Sequence, residues 1–161
     1  MRFGYPQRGI PIVRGVAERP LDALPDWARQ LLEEARVARL GVLDDRDRPR
    51  VLPVTYALEG GALWSAIDRK PKRGEPARLR YLKRNPNAAL TVDRYDDDWS
   101  RLAWVQVLGE VEILDPERAA SGLAALADKY AQYRDDPPPG PVLRLDPGRA
   151  LCWRAAGDGP P

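Results

Sequence analysis

The sequence predicts a mainly β fold, a partly open antiparallel barrel with helices at its ends. Short apolar segments bounded by turn residues dominate the chain, and three-four helical spacing occurs at only three places. Antiparallel hairpins precede and follow a single helix, whereas a parallel sheet would need strands and helices to alternate. The length of 161 residues is near the common size of one domain.

The elements follow in chain order from periodicity and turn residues. Helices are predicted over residues 24–35, from Glu75 to residue 84, and behind an Asp115-Pro116 start. Strands are predicted at residues 40–43, 50–58, 62–67, 88–95, 102–114, 142–145 and 150–154. The turn Glu59-Gly60-Gly61 supplies positive φ angles, and Gly109 predicts a bulge.

Boundaries follow from the same reading. Residues 1–20, rich in glycine, proline and arginine, are predicted to form an arm or leader, residues 21–156 the barrel domain, and residues 157–161 a tail. No segment approaches the roughly 20 apolar residues of a membrane span. Cys152 is the only cysteine, and an unpaired thiol suits a reducing compartment, so we expect a cytoplasmic protein.

The chain contains no histidine, which excludes imidazole-ligated metals and histidine-based nucleophilic or general base catalysis. No glycine-rich nucleotide fingerprint or phosphate loop is present, and one cysteine cannot form a thiolate metal cluster. Redox chemistry would therefore need a bound organic cofactor. We expect no metal site.

Positive charge is concentrated in one window. Residues 69–84 hold eight basic side chains and one acid, a charge of +7 in a chain of +2, which leaves about −5 elsewhere. The window joins a predicted strand to a predicted helix, a place where anions bind. Lys70, Lys72 and Arg78 are the predicted principal ligands, with Arg73 and Arg80 nearer the rim. A solvated basic face is the equally weighted alternative.

Two further features complete the candidate site. A phosphate contact alone gives weak binding, so a useful ligand must also bury an apolar body. Arg50, Pro53, Val54 and Thr55 offer a strand surface for it, although an ordinary edge strand protected from aggregation is the better explanation of Pro53 when it is taken alone. Trp99 follows three aspartates in a predicted loop, where it would cover a ligand or anchor a dimer. The aspartates themselves are expected to stay solvated.

The order of several motifs resembles a known family. They are Arg39-Leu-Gly-Val-Leu-Asp44, residues 50–56 with Pro53-Val54, Lys70-Pro-Lys-Arg73, Tyr81-Leu-Lys-Arg-Asn-Pro86, and residues 88–95 followed by Asp96-Asp-Asp-Trp-Ser100. Over roughly residues 24–154 the chain resembles the pyridoxamine 5′-phosphate oxidase-like split-barrel flavoproteins. Within them it is most similar to the probable coenzyme F-420 (deazaflavin) dependent oxidoreductases.

This resemblance implies a split β-barrel and a cytoplasmic homodimer with two cofactor sites at the subunit interface. It also implies hydride transfer between a deazaflavin and a small organic acceptor, with FMN as the alternative cofactor. The deazaflavin is preferred because its phosphate and glutamyl tail would use more of the basic residues. The matching cofactor-binding positions are Arg50, Pro53, Val54, Thr55, Ala66, Ile67, Lys70, Lys72, Arg78 and Arg80.

The chain departs from the family pattern at Glu75 and Pro76, where the family is more uniformly basic. A non-catalytic cofactor carrier is the rival interpretation from another class. A nucleic-acid module is disfavoured because Tyr81 is the only aromatic residue in the basic helix. We expect a small-molecule substrate, and neither a nucleic-acid nor a membrane partner.

Overall fold

A computed structural model describes Val16, residues 18–67 and residues 74–155. These residues form seven strands, four α-helices and three short 3-10 helices. The strands are β1 (Ala38–Leu43), β2 (Pro49–Val54), β3 (Ala57–Glu59), β4 (Ala62–Ala66), β5 (Asn87–Arg94), β6 (Ala103–Leu114) and β7 (Val142–Arg154). The α-helices are α1 (Asp26–Glu34), α2 (Ala77–Arg84), α3 (Ala120–Lys129) and α4 (Ala131–Asp135), and the 3-10 helices are Leu21–Ala23, Trp99–Arg101 and Pro116–Arg118.

The strands make one antiparallel sheet in the order β2-β1-β5-β6-β7-β4-β3. The two edge strands, β2 and β3, are neighbours in the chain, separated only by Thr55 and Tyr56. The sheet must therefore curl until its edges meet, because the three Cα–Cα steps from Val54 to Ala57 span at most about 10 Å. The result is the predicted mainly β barrel, open along the line where β2 and β3 meet without pairing.

The long strands β6 and β7 form the back of the barrel, and their register shifts between Leu108 and Gly109. A Cβ atom at Gly109 would lie 1.9 Å from the carbonyl oxygen of Asp146, so only glycine fits there. The bulge predicted at Gly109 is thus confirmed.

Apolar side chains fill the barrel and also cover part of its outside. The interior cluster includes Leu32 of α1, Leu79 and Leu82 of α2, and inward residues of β1, β5, β6 and β7 such as Val92 and Val107. A second cluster lies outside β3 and β4, where α3 packs. Strand β4 is buried on both faces because it separates these two clusters.

Three predicted elements need correction. The single strand predicted over residues 50–58 is two strands, because Tyr56 turns its ring into the interior and the two halves pair with different neighbours. The strands predicted at 142–145 and 150–154 are one, since β7 continues through the bulge opposite Gly109. The helix predicted from Pro116 starts as a 3-10 turn, and α3 begins only at Ala120.

The chain entering the barrel is tied to β7. Arg19 and Ala150 exchange two backbone hydrogen bonds of 2.9 and 2.7 Å, and Arg149 pairs with Glu18. Most of the predicted arm and the predicted tail lie outside the described residues, so their boundaries stay predictions. Among the described helices, none has the length and apolar character to cross a bilayer.

Candidate functional site

A cleft of about 790 Å³ opens where β2 ends. Its walls come from the end of β2, the end of β4, the first turn of α2 and the region around α4. This volume falls within the 300–1,000 Å³ range of small-molecule sites. The lining residues are Arg36, Val37, Pro53, Val54, Thr55, Ser65, Ala66, Arg78, Tyr130, Gln132, Tyr133, Asp136 and Pro138.

A narrower groove of about 530 Å³ adjoins this cleft. It runs between β2 and the start of α2 and shares Pro53 and Arg78 with the cleft. Arg50 and Tyr81 lie in the groove but not in the cleft. Groove and cleft therefore adjoin at Pro53 and Arg78, with Arg50 on the groove side and Arg36 on the cleft side.

Strand β2 can line both the groove and the cleft because it is an edge strand. It pairs with β1 only, and Pro53, opposite Arg39, has no N–H to offer to a further strand. Val54 is buried in the barrel, whereas Pro53 is exposed. The proline therefore leaves an apolar edge that a ligand can approach.

Tyr130, at the junction of α3 and α4, holds the cleft wall together. Its hydroxyl accepts a 3.1 Å hydrogen bond from the N–H of Tyr56 and lies 2.8 Å from the carbonyl of Arg36 and 2.9 Å from that of Tyr56. The hydroxyl proton can go to one of these carbonyls at a time. Burial raises the pKa of Tyr130, so its hydroxyl stays neutral.

Two hydroxyl groups meet inside the cleft. The Thr55 and Tyr133 oxygens are 2.7 Å apart and share one hydrogen bond, in which either group can donate. Both oxygens keep hydrogen-bonding capacity beyond this bond. The pair can therefore orient a polar group of a ligand at the point where β2 ends.

A lysine lies behind the same wall. The Lys129 ammonium sits 4.1 Å from the centre of the Tyr56 ring, and its buried nitrogen has no hydrogen-bond partner among the described residues. Burial, and then the nearby Arg36 charge, lowers the pKa of Lys129 to about 8, while Glu33 acts in the opposite direction. This cation raises the potential of the wall without reaching its surface.

The groove end is organised by a buried carboxylate. Asp44 opens the β1–β2 turn and is only 2% exposed. Its oxygens accept hydrogen bonds from the Arg48 side chain and from the N–H groups of Arg46 and Arg48, and lie 3.3 Å from Arg50 Nε. The Arg48 hydrogen bond leads these causes in holding the pKa of Asp44 well below its ordinary value. The contact with Asp44 thus fixes the position of Arg50 Nε.

Helix α2 is joined to the same turn by two ion pairs. Arg80 binds Asp45 at 3.0 Å, and Arg84, one turn later, binds Asp47 at 2.8 Å. The prediction that Leu79 and Leu82 form the inward stripe of this helix is confirmed. The outward arginines therefore hold the helix against the β1–β2 turn.

The structure brings together six of the eleven predicted site residues. They all line the cleft or the groove: Arg50, Pro53, Val54, Thr55, Ala66 and Arg78. Lys70 and Lys72, predicted as principal anion ligands, lie outside the described residues, as does Arg73. Their role stays a prediction.

Three of the predicted site residues line neither the cleft nor the groove. Ile67 packs in the barrel interior next to Ala66, and Arg80 contacts Asp45. Trp99, 69% exposed, lies in the 3-10 helix between β5 and β6 and lines neither cleft nor groove. Its loop is ordered by Asp98, which accepts hydrogen bonds from the Ser100 N–H and hydroxyl. Asp97 and Asp98 are exposed, whereas Asp96 is partly buried and pairs with Arg101 at 3.3 Å.

Sequence reasoning missed the wall made by Arg36 and by residues 130–138. Tyr130 and Tyr133 are three residues apart, a spacing that also fits one continuous buried stripe. Helix α3 ends and α4 begins without a glycine or proline between them, so no turn residue in the sequence indicates a second helix. The Tyr-x-x-Tyr spacing before a proline run was the available signal.

A larger hollow of about 850 Å³ lies on the outer face of β1, β2, β5, β6 and β7. Gly41, Val51, Ala89 and Leu108 line it, and Val51 is 66% exposed. Trp104 and Trp153 face each other on this outer side of the sheet. Arg50, Asn87, Glu110, Asp146 and Arg149 also line the hollow. We assign the small-molecule site to the cleft because it combines the Thr55–Tyr133 hydroxyl pair with Arg36 and Arg78.

Comparison with protein families decides the wider relationship. The family model for pyridoxamine 5′-phosphate oxidase matches residues 24–154. The chain belongs to this family. The split-barrel resemblance drawn from the motifs is thereby confirmed, together with the mainly β fold. The family's own name denotes an oxidoreductase.

Solved structures of pyridoxamine 5′-phosphate oxidase-like proteins give the same fold with different described ligands. An F420 reductase is 24% identical, covers 79% of this chain and 98% of its own, and has a TM-score of 0.58. A FAD-binding protein from Mesorhizobium loti is 18% identical, and the match covers 85% of this chain and 96% of that protein with a TM-score of 0.60. The heme storage protein HutZ from Vibrio cholerae is 14% identical, and the match covers 80% of this chain and 93% of that protein with a TM-score of 0.64. At these identities the likeness establishes the fold alone.

No curated protein matches the chain. The described residues also contain no group of three or more histidine, cysteine, aspartate or glutamate side chains placed to hold a metal ion.

Proposed function

We propose that this pyridoxamine 5′-phosphate oxidase family member is an oxidoreductase that binds coenzyme F-420, a deazaflavin, and uses it to reduce a small organic acceptor. The observation that carries the proposal is that groove and cleft adjoin and share Pro53 and Arg78. A long cofactor with an anionic tail and a flat ring needs a depression of this kind, narrow and cationic in one part and wider in the other.

The residues present fit such a group. Arg50 and Arg78 would hold the phosphate and tail, each through charge-assisted hydrogen bonds of roughly 1.5–3 kcal/mol before binding costs. Pro53, Val54 and Ala66 would contact the ring, because they supply the apolar surface of the cleft. The Thr55–Tyr133 hydroxyl pair would orient polar ring atoms or the acceptor.

A bound deazaflavin supplies a hydride at ring carbon five, and with a proton from solvent this reduces the acceptor by two electrons. The protein would contribute orientation and exclusion of water. Neither task requires imidazole, which agrees with a chain that contains no histidine.

The proposal is tested by titrating purified protein with coenzyme F-420 and, separately, with FMN, and following fluorescence quenching or anisotropy. We expect saturable F-420 binding that weakens by about tenfold or more in Arg78→Gln, because a charge-assisted contact to the tail is lost. Arg118→Gln is the matched control, since Arg118 is exposed and pairs with Glu112 away from the cleft.

The outcomes separate the alternatives. Tight FMN binding without F-420 binding would mean that the cofactor is FMN rather than the deazaflavin. If neither cofactor binds, the proposal is contradicted. Binding of F-420 without turnover of quinone, enone or tetrapyrrole acceptors would identify a non-catalytic cofactor carrier.

We further propose that the protein is a homodimer, with the outer sheet face at the subunit interface. The support is the apolar hollow around Val51 and Leu108, since exposed apolar patches of this kind mark protein contacts. Trp99, predicted to cover a ligand or anchor a dimer, is an exposed aromatic residue that this chain leaves uncovered. In the proposed dimer it contacts the partner subunit.

A further inference from the structure

Arg36 is a cation of the cleft that the proposed cofactor does not use. It lies in the connection between α1 and β1 and lines the cleft but not the groove. Arg50 and Arg78, the proposed tail ligands, both line the groove. Arg36 is therefore on the cleft side, which is left for the acceptor.

Arg36 makes three contacts to the α3–α4 junction, two through its guanidinium and one through its backbone carbonyl. One terminal nitrogen donates a 2.6 Å hydrogen bond to the carbonyl of Lys129, and the group stacks 4.7 Å from the centre of the Tyr130 ring. The Arg36 carbonyl lies 2.8 Å from the Tyr130 hydroxyl. Because the side chain is already ordered, a ligand would bind it with little further loss of entropy.

Its charge is not neutralised by the described part of the chain. No described carboxylate lies within 4.0 Å of its guanidinium, and one N–H of five is used on Lys129. The Lys129 ammonium lies behind it and adds to the positive potential. Glu33 faces Lys129 from α1, and Asp136 is the carboxylate among the described cleft residues. With Arg78, the described cleft residues carry one net positive charge.

We propose that the acceptor reduced in this cleft carries a carboxylate, and that Arg36 binds it. A planar guanidinium with free N–H groups matches a carboxylate in shape and charge. The inference rests on the proposed function, since it takes the cleft as the acceptor site.

The test compares two planar conjugated probes that differ only in charge, cinnamate and cinnamamide. Their affinities are measured by calorimetry on the cofactor-free and the F-420-treated protein. We expect the wild type to bind cinnamate at least about tenfold more tightly than cinnamamide. The preference should vanish in Arg36→Gln, return in part in Arg36→Lys, and weaken at high salt.

Arg134→Gln is the charge-matched control, because Arg134 lies on α4 next to Tyr133 but does not line the cleft. It should keep the preference. The inference would be overturned if the wild type bound both probes equally well, or if Arg36→Gln still preferred cinnamate. It would also be overturned if Arg36→Gln lost affinity equally for both probes, because Arg36 would then have a purely structural role. Failure of F-420 to bind, with cinnamate still preferred through Arg36, would instead remove the proposed cofactor and keep the carboxylate site.

Discussion

Gly122 lies in the first turn of α3, where the helix packs on the Trp64 indole. A Cβ atom there would lie 2.2 Å from an indole carbon, well inside contact distance. Gly122→Ala should therefore destabilise the protein by about 1–3 kcal/mol, despite the better helix propensity of alanine. Chemical denaturation measures this difference. Ser121→Ala, one residue earlier on the exposed side, should leave stability unchanged or slightly higher; an equal loss there would contradict the packing argument.

Lys129 gives the protein a defined pH dependence. Its folded pKa of about 8 lies below the ordinary value of 10.5, so the unfolded chain binds more protons between these values. Stability contributed by this group therefore rises with pH across that window. The facing tyrosines, Tyr56 and Tyr130, have raised pKa values and stay neutral there.

The corresponding experiment follows unfolding free energy against pH for the wild type and Lys129→Met. Between pH 8 and 10.5 the unfolding free energy of the wild type should rise by roughly 1 kcal/mol relative to that of the variant, a figure reduced for solvent screening because the side chain is only partly buried. Parallel curves for the two proteins would show that the ammonium is solvated.

At the level of single residues, the sequence was informative where a side chain obeys a local rule. Leu79 and Leu82 follow helical spacing, and Pro53 marks an edge strand through its missing N–H. Arg36 and Tyr133 could not be placed in the cleft from local patterns. Tyr133 reaches it where α4 packs against the end of β2, a contact with Thr55 across 78 residues, and Arg36 contacts Lys129 across 93 residues. Such tertiary contacts leave no local pattern.

Among the elements, the β1–β2 turn depends on Asp44 more than on its neighbours. Asp44 is buried and accepts hydrogen bonds from two backbone N–H groups and one arginine, whereas Asp45 makes one exposed pair with Arg80. Asp44→Asn should lower the melting temperature clearly, and Asp45→Asn should cost no more than about 1 kcal/mol. Equal effects would mean that the turn does not rely on the buried carboxylate.

The same turn should be sensitive to acid. Because the pKa of Asp44 is depressed in the folded protein, its contribution is complete above the unfolded value of 3.8 and is lost as the pH falls below it. Acid titration followed by circular dichroism should therefore show a smaller loss of stability below pH 3.8 for Asp44→Asn than for the wild type.

Element boundaries were predictable where turn residues mark them. Gly60 and Gly61 have the positive φ angles expected of a tight turn, and α2 is closed before Asn85-Pro86. Residues 50–58 were misread as one strand because all of them have strand-like composition. Only the closure of the barrel assigns the two halves to different partners.

For the whole molecule, the outer sheet face provides the test of the proposed homodimer. Leu108→Glu places a charge in the apolar hollow and should convert a dimer to a monomer in light scattering coupled to size exclusion. Ala124→Glu, on the exposed side of α3, should leave the mass unchanged. A wild type that is already monomeric, or a Leu108→Glu variant that stays dimeric, would contradict this interface.

The global fold was the best predicted level, because several short strands, one bulge glycine and an ordered set of motifs all favoured the same barrel. Six of the eleven predicted site residues line the cleft or the groove. The strand and helix residues of the site follow from local signals, whereas the wall opposite them depends on where a later segment of the chain docks.

Strand β7 lies between β6 and β4 in the sheet although it is the last strand of the chain. Until it is present, β3 and β4 are a detached hairpin, and the cleft beside Thr55 lacks a fixed wall. A polypeptide emerging from the ribosome must therefore be synthesised through β7 before the barrel can close. Chains truncated before Val142 should be recognised by chaperones and proteases as unfinished.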